Sequence, residues 1–150
     1  MLITPLEFVA FMLLITAAAG IARVGFRRRH VGKLRALASE RKMHYSAGDR
    51  FRLGPRIGPK LGVPGAAAIR VADLLYGIEQ QNYRYIFAAE YTTGVLRTKT
   101  GIRRVATFCE PRTGEVPGGA NSFELIFAPE SLPIVEQYRH LLSEEARSQK

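Results

Sequence analysis

The 150-residue chain has a single cysteine, Cys109, and no Asn-x-Ser/Thr sequence that would accept an N-linked glycan. Because one cysteine cannot form a disulfide within the chain, the sequence excludes a small secreted scaffold held together by disulfides. Both absences are typical of proteins in a reducing compartment. They favour a cytoplasmic location for the folded part of the chain.

Lysine and arginine are absent from the first 22 residues, where Glu7 is the one charged side chain. Residues 23–70 then carry 13 Lys/Arg against two acids, and residues 71–150 carry 9 Lys/Arg against 10 acids. The net charge of +9 therefore comes from one segment directly behind an apolar run. A nucleic-acid-binding domain more often spreads its cations over the fold, whereas a basic segment beside a membrane span has this distribution.

The apolar run FVAFMLLITAAAGIA, residues 8–22, contains no charged side chain, and only Arg23 interrupts it before Phe26. A helix from Phe8 to Phe26 would be about 28 Å long, which nearly matches a hydrocarbon core of about 30 Å. Arg23 lies within one turn of the end, so its side chain can reach the lipid headgroups. The pattern predicts a transmembrane anchor over residues 1–26.

Two alternatives remain open for this segment. Ala17-Ala18-Ala19 satisfies the small-residue rule for signal-peptide cleavage, although the basic region that normally precedes the apolar run is missing. A core helix of a soluble protein is the other alternative, although this run is apolar on all its faces.

Under the anchor interpretation, the positive-inside rule predicts a single-pass protein of the cell inner membrane, with its N-terminus outside and its C-terminal domain in the cytoplasm. Its partners would be the lipid bilayer and anionic headgroups. The residues predicted to set the topology and to contact the membrane surface are Arg23, Arg27, Arg28, Arg29, Lys33 and Arg35.

Two segments separate the anchor from the folded domain. Residues 27–53 are predicted to form a basic juxtamembrane stalk, a helix that continues the membrane helix to about Tyr45. Residues 54–69 contain GPRIGPKLGVPG, whose glycines and prolines argue against a regular helix or a central strand. This segment is predicted to be a linker. Because no Gly-Lys-Ser/Thr follows its glycines, a phosphate-binding loop is not supported.

Residues 70–150 are predicted to form a small α+β cytoplasmic domain. Apolar residues alternate over 70–79, 82–91, 102–110 and 122–128, which predicts a four-stranded antiparallel meander. Residues 131–146 have the pattern of an amphipathic helix, against which the sheet is expected to pack. The aromatic side chains of the second strand should form the face that contacts this helix: Tyr83, Tyr85, Phe87 and Tyr91.

No arrangement of reactive side chains predicts catalysis, a metal or a cofactor. No second histidine or cysteine lies at helical spacing from any histidine, Cys109 shares a strand face with Val105 and Thr107 as a buried, inert thiol would, and the spacing of the carboxylates selects no acid–base pair. The chain is therefore predicted not to be an enzyme, with a cryptic active site left as an alternative. The side chains considered are His30, His44, His140, Cys109, Glu79, Glu90, Glu110 and Glu124.

Residues 96–108 carry four basic side chains and no acid, which suggests a basic contact patch at a hairpin tip: Arg97, Lys99, Arg103 and Arg104. The favoured hypothesis is a membrane-tethered, non-enzymatic module that binds an unknown protein partner or the anionic membrane surface. The alternative is a membrane-associated nucleic-acid-binding domain that uses residues 23–70 and this tip.

Two stretches carry a family resemblance, LRALASERKMHYSAGDRFRL and VADLLYGIEQQNYRYIFAAEYTTG. In overall pattern, residues 34–110 resemble small bacterial, planctomycete-type membrane proteins of unknown function that have a single N-terminal membrane helix. The resemblance implies a single-pass membrane protein, and it implies no catalytic residue and no cofactor.

Overall fold

A computed structural model of the chain describes residues 5–79, 82–94, 100–112 and 124–148. Helix α1 covers Pro5–Glu40, and the chain divides into two units, one up to Lys33 and one from Leu34 onward. The remaining elements are β1 (His44–Gly48), α2 (Leu53–Ile57), a 3₁₀ turn (Gly58–Lys60), β2 (Ala67–Glu79), β3 (Asn82–Thr93), β4 (Thr100–Pro111), β5 (Ile126–Phe127) and α3 (Ile134–Ser148).

The first unit is the apolar part of α1. Its large apolar side chains between Leu6 and Phe26 are exposed, and its most apolar 18-residue window has a mean hydropathy of 2.0 with 0% buried. The Thr16 hydroxyl donates to the Met12 carbonyl at 2.8 Å, so this polar group is satisfied within the helix. The helix is long and apolar enough to cross a membrane.

Helix α1 ends at Glu40 in a hydrogen-bonded C-terminal cap. The Lys42 N–H donates to the Ser39 carbonyl at 3.1 Å, and the Met43 N–H donates to the Ala38 carbonyl at 2.8 Å. This Schellman arrangement requires a left-handed residue, and Lys42 has φ 54° where glycine is the usual choice. The left-handed conformation costs a lysine about 1 kcal/mol. The predicted helix to Tyr45 is therefore too long, and His44 begins β1 instead.

The second unit is built on a five-stranded antiparallel sheet in the order β1-β2-β3-β4-β5. The predicted α+β class, with an N-terminal apolar helix, an antiparallel meander and a C-terminal helix, is confirmed. The strand count of four is wrong because β1 lies within the predicted stalk, where Tyr45 pairs with Leu75 of β2. As a short edge strand, HYSAG has too few apolar residues to show alternation. The fourth strand was predicted over residues 122–128, but β5 has only two residues, Ile126 and Phe127. Residues 122 and 123 of the predicted strand lie outside the described ranges.

Strand β2 contains a bulge that changes which residues share a face. Ala72 pairs with Ala88 and Leu75 pairs with Ile86, so β2 has one residue more than β3 over this interval. Asp73 lies in this interval with φ 49°. Because a one-residue insertion moves the residues before it to the other face, Val71 packs with Leu74. Regular alternation over residues 70–79, as predicted from the sequence, would have placed Ala72 and Leu74 on one face, and this part of the prediction is wrong.

The aromatic face of the sheet packs against α2 and the 3₁₀ turn. Leu53, Ile57 and Leu61 are buried there together with Val71, Leu74, Tyr85, Phe87 and Tyr91. The expected contact of this face with the C-terminal helix is wrong, as is the expectation that the Gly-Pro segment contains no helix. Proline is compatible with these short helices because it lies in their first turns, where a backbone N–H has no partner within the helix.

The opposite face of the sheet packs against two helices. Leu75, Ile86 and Val105 of the sheet are completely buried here. The end of α1 contributes Leu34, Leu37 and Ala38 to this layer, and α3 contributes Tyr138, Leu141 and Leu142. The sheet is thus covered on both faces, by the Gly-Pro segment on one and by α1 and α3 on the other.

Two polar groups fix α3 on the sheet. The Tyr138 hydroxyl donates to the Asp73 carbonyl at 2.7 Å, and the Asp73 carboxylate accepts from the Tyr45 hydroxyl and the Arg103 guanidinium. Arg84 is 3% exposed, and its guanidinium donates to Glu79 at 2.7 Å and to the Leu141 carbonyl at 2.9 Å. The bulge and the buried arginine therefore both hold the helix in register.

Replacing Tyr138 by phenylalanine should make stability less sensitive to alkaline pH. Burial raises the pKa of the Tyr138 phenol well above its ordinary value, and the charge of Asp73 raises it further. The fold therefore favours the neutral phenol. The resulting contribution to the free energy of unfolding is present below about pH 10 and is lost as pH rises toward the folded-state pKa.

Tyr138→Phe should lower the free energy of unfolding by about 1 kcal/mol at neutral pH, because the hydrogen bond to Asp73 is lost. Above about pH 10 its stability should fall less steeply than that of the wild type, by up to about 1.4 kcal/mol per pH unit. Urea unfolding of the full chain in mild detergent, followed by circular dichroism, measures both effects. An unchanged pH dependence would contradict the assignment.

Candidate binding cleft

A cleft of about 680 Å³ lies on the aromatic side of the second unit. Its lining comes from the segment after α1, from β1, from the turn after β1 and from β2, β3 and β4. Its volume lies within the range of about 300–1,000 Å³ that is usual for small-molecule sites. We refer to it as the aromatic cleft, after its ring side chains His44, Phe51, Tyr76, Tyr83 and Tyr85.

The rings of the cleft contact one another in edge-on and tilted arrangements. The Phe51 ring centroid lies 4.9 Å from that of Tyr76, at an interplanar angle of 74°, and 5.4 Å from that of Tyr85. His44 lies 5.3 Å from Tyr76. These separations are typical of favourable aromatic pairs. These three contacts connect four of the five rings into one wall: His44, Tyr76, Phe51 and Tyr85.

A capped turn holds Phe51 in this position. The Asp49 carboxylate accepts the Leu53 N–H at 2.7 Å and the Gly54 N–H at 2.8 Å, which satisfies the first free donors of α2. Between cap and helix, Arg52 adopts a left-handed conformation with φ 53°. The chain reverses over these residues, and Phe51 contacts the sheet at Tyr76 and Tyr85.

Gly77 allows β2 to pass close to the end of α1. A Cβ atom at this position would lie 3.0 Å from the Met43 side chain and 3.5 Å from its Cα. A larger residue would require the Met43 side chain to move by a few tenths of an ångström. Glycine at this position therefore allows close packing of the segment that carries Lys42, and both Lys42 and Gly77 line the cleft.

Charge at the cleft floor is largely neutralised. Glu110 forms an ion pair with Arg56 at 2.8 Å, and Arg50 donates to the Tyr76 hydroxyl at 3.0 Å. Burial raises the pKa of the Tyr85 phenol and Glu110 raises it further, while Arg56 opposes the rise. Tyr85 therefore presents a neutral hydroxyl and a neutral ring at physiological pH.

The structure separates most of the reactive side chains considered from the sequence. His44 and Glu110 both line the cleft, but His30 lies on α1 in the first unit and His140 lies on α3. Cys109 is half-buried in β4, opposite Arg84, and does not line the cleft. Among the described residues, no three His, Cys, Asp or Glu side chains come together as a metal site requires.

Glu79 and Glu90 each form an ion pair elsewhere, Glu79 with Arg84 and Glu90 with Arg103. Glu124 is exposed just before β5. Of the four carboxylates considered from the sequence, Glu110 is therefore the one that the fold brings to the cleft.

Two of the residues predicted to form a basic patch, Arg103 and Arg104, have acidic neighbours. Arg103 lies between Asp73 and Glu90, and Arg104 pairs with Glu130 at 2.8 Å. These acids come from other elements, so the sequence around the arginines did not reveal them. Arg97 and Lys99 lie outside the described residues, and the patch stays a prediction.

The predicted topology residues are all exposed on α1: Arg23, Arg27, Arg28, Arg29, Lys33 and Arg35. Arg35 belongs to the second unit, and its guanidinium carbon lies 5.5 Å from the centroid of the Tyr45 ring.

Sequence reasoning missed Phe51 and Tyr76 as cleft residues and wrongly assigned the exposed Tyr83 to the core. Its assignment of Tyr85 to the core is correct, although Tyr85 also lines the cleft. The signal available for Phe51 was an aromatic side chain between Arg50 and Arg52, directly after a turn-forming Gly-Asp pair. Nothing in the sequence indicated that β1 would bring His44 beside Tyr76, because the pairing of two distant strands sets that contact.

Comparison of the chain with protein-family models, with curated proteins and with solved structures finds no match in any of the three. The resemblance of residues 34–110 to planctomycete-type membrane proteins therefore stays a prediction.

Asp49→Ala should destabilise the second unit and loosen Phe51. The change removes both acceptors of the α2 cap, and loss of such a cap costs about 1–2 kcal/mol. Chemical denaturation should show this loss, and NMR of the Phe51 ring should show weaker contacts to Tyr76 and Tyr85. Asp49→Asn, which keeps one side-chain acceptor, should fall between wild type and Asp49→Ala. Equal stability of all three proteins would contradict the assigned role.

Proposed function

We propose that this chain is a single-pass membrane protein whose N-terminus lies outside and whose second unit works in the cytoplasm, at the inner membrane, as a non-enzymatic binding module. Its target is a protein partner or the anionic membrane surface. The observation that carries the proposal is the exposed apolar part of α1, followed within one turn by consecutive arginines.

The exposed apolar surface supports membrane insertion. Eleven large apolar side chains between Leu6 and Phe26 are exposed, and the most apolar window of the helix has 0% burial. A helix that is apolar on all sides needs an apolar environment, because water-soluble proteins rarely expose large contiguous apolar patches. The hydrocarbon core of a bilayer contacts all sides of a helix. The apolar residues of α1 are likewise distributed around all sides of the helix and do not form a single stripe.

The basic residues after the span support a contact with headgroups. Successive helix residues are rotated by about 100°, so Arg27, Arg28 and Arg29 project in three directions around α1. All three are exposed. Such a ring of cations contacts headgroups on every side, and each cation near an anionic leaflet contributes about 1 kcal/mol. A duplex nucleic acid would contact one side of the helix, so this distribution favours the membrane.

The composition of the aromatic cleft supports binding over catalysis. Its carboxylate, Glu110, is neutralised by Arg56, and His44 contacts the Tyr76 ring. General acid–base chemistry needs a proton-transferring group directed at the reacting atom. The arrangement of rings instead suits the recognition of a ligand by stacking.

Reversing the charge of Arg27, Arg28 and Arg29 to glutamate should disturb membrane topology. The change removes three cations directly behind the span and adds three anions, so the bias that retains the C-terminal side in the cytoplasm is lost. C-terminal fusions to alkaline phosphatase and to green fluorescent protein report the side of the membrane. We expect the wild type to be fluorescent and phosphatase-negative, and the variant to insert poorly or to invert.

A matched control carries the same charge change farther from the span, at Arg52, Lys60 and Arg70. It should keep the wild-type topology because the positive-inside effect acts within about 15–20 residues of the membrane. The proposal fails if the Arg27/Arg28/Arg29 variant and the control both behave as wild type, or if the wild-type chain is extracted from membranes by alkaline carbonate.

A further inference from the structure

The walls of the aromatic cleft leave ring surface open to a ligand. Phe51 is 36% exposed and Tyr83 is 38% exposed, while Ile78 beside them is 59% exposed. Phe51 contacts the rings of Tyr76 and Tyr85 and still has exposed surface, and such aromatic surface favours a flat apolar group that stacks on it. The exposed ring surface therefore favours a planar ring.

The lining of the cleft has an excess of positive charge. Lys42 and Arg112 both line it, and neither forms an ion pair with any of the described residues. The one carboxylate in the lining, Glu110, is paired with Arg56. His44 adds an imidazole, which can donate or accept a hydrogen bond. With the acid neutralised and two cations remaining, the cleft complements an anion.

The backbone at Lys42 is a second, independent sign. Its φ of 54° lies in the left-handed region, at a helix-capping position where glycine is favoured. Of the four non-glycine residues with left-handed φ among the described residues, Lys42 is the one that lines the cleft. Lysine at this position supplies a cation at the cleft that glycine would not.

We propose that the aromatic cleft binds a small molecule that combines a planar aromatic ring with a phosphate or carboxylate group. The ring stacks among Phe51, Tyr76, Tyr83 and Tyr85, and the anionic group contacts Lys42 and Arg112. This site does not depend on the membrane anchor, so it stands or fails separately from the proposed topology.

Titration calorimetry of the full chain in mild detergent tests the proposal with two probes. Adenosine monophosphate represents a ring with a phosphate, and 2-naphthoate represents a ring with a carboxylate. We expect at least one to bind with a dissociation constant below 1 mM, and its uncharged counterpart, adenosine or 2-naphthol, to bind about tenfold more weakly or not at all. The probe that binds identifies the anionic group. Failure of both probes, or equal binding of the uncharged counterpart, overturns the proposal.

Lys42→Gly separates binding from stability. Glycine suits the left-handed backbone, so thermal stability should be equal or higher, while affinity for the bound probe should fall about tenfold with the loss of the cation. Arg52→Gly is the matched control, because Arg52 is also an exposed cation in the left-handed conformation and does not line the cleft. It should keep its affinity within about twofold.

Arg112→Gln provides a second variant at the other cation and should also lower affinity about tenfold. Unchanged affinity in both Lys42→Gly and Arg112→Gln would overturn the proposal. An equal loss of affinity in the Arg52→Gly control would do the same, because the effect would then not be specific to the cleft.

Discussion

Both faces of strand β3 are buried from Arg84 to Ala89. Tyr85, Phe87 and Ala89 lie on one side, and Arg84, Ile86 and Ala88 lie on the other, so each side needs its own cover. A two-layer arrangement would leave one of these faces in water. The fold satisfies both because the end of α1 and α3 cover one side and the Gly-Pro segment covers the other. The remaining features of the second unit follow from this arrangement.

The aromatic cleft lies where the second cover is incomplete. Helix α2 and the 3₁₀ turn are short, and they bury Phe87 and Tyr91 fully but leave Tyr83 half-exposed. The turn held by Asp49 places Phe51 at the border between the covered and open parts of the face. The lining of the cleft includes no residue of α2 or of the 3₁₀ turn, which bury the neighbouring part of the same face.

The bulge at Asp73 connects the two sides of the sheet. It rotates the first part of β2 so that Val71 joins the aromatic core, and it presents a carboxylate to Tyr45 and Arg103 and a carbonyl to Tyr138. The left-handed backbone at Asp73 is offset by these three hydrogen bonds. Arg84 acts similarly, because its planar guanidinium reaches both Glu79 and the Leu141 carbonyl. Polar groups thus fix the position of α3, while apolar burial supplies most of its stability.

The long apolar helix, the α+β class, the approximate ranges of β2, β3 and β4, and the amphipathic α3 could all be predicted from the amino-acid sequence. These features depend on the periodicity and composition of one continuous segment, and both can be measured from the sequence of that segment alone. Four features became visible only in the folded chain. They are strand β1, the sheet face that residues 53–61 cover, the bulge in β2, and the acidic partners of Arg103 and Arg104. Each of them depends on segments far apart in the chain, and the aromatic cleft combines Lys42, Phe51, Tyr76, Tyr83 and Arg112 in the same way. Side chains so distant in sequence come together only when strands pair in one register, and alternation along one strand carries no information about that register.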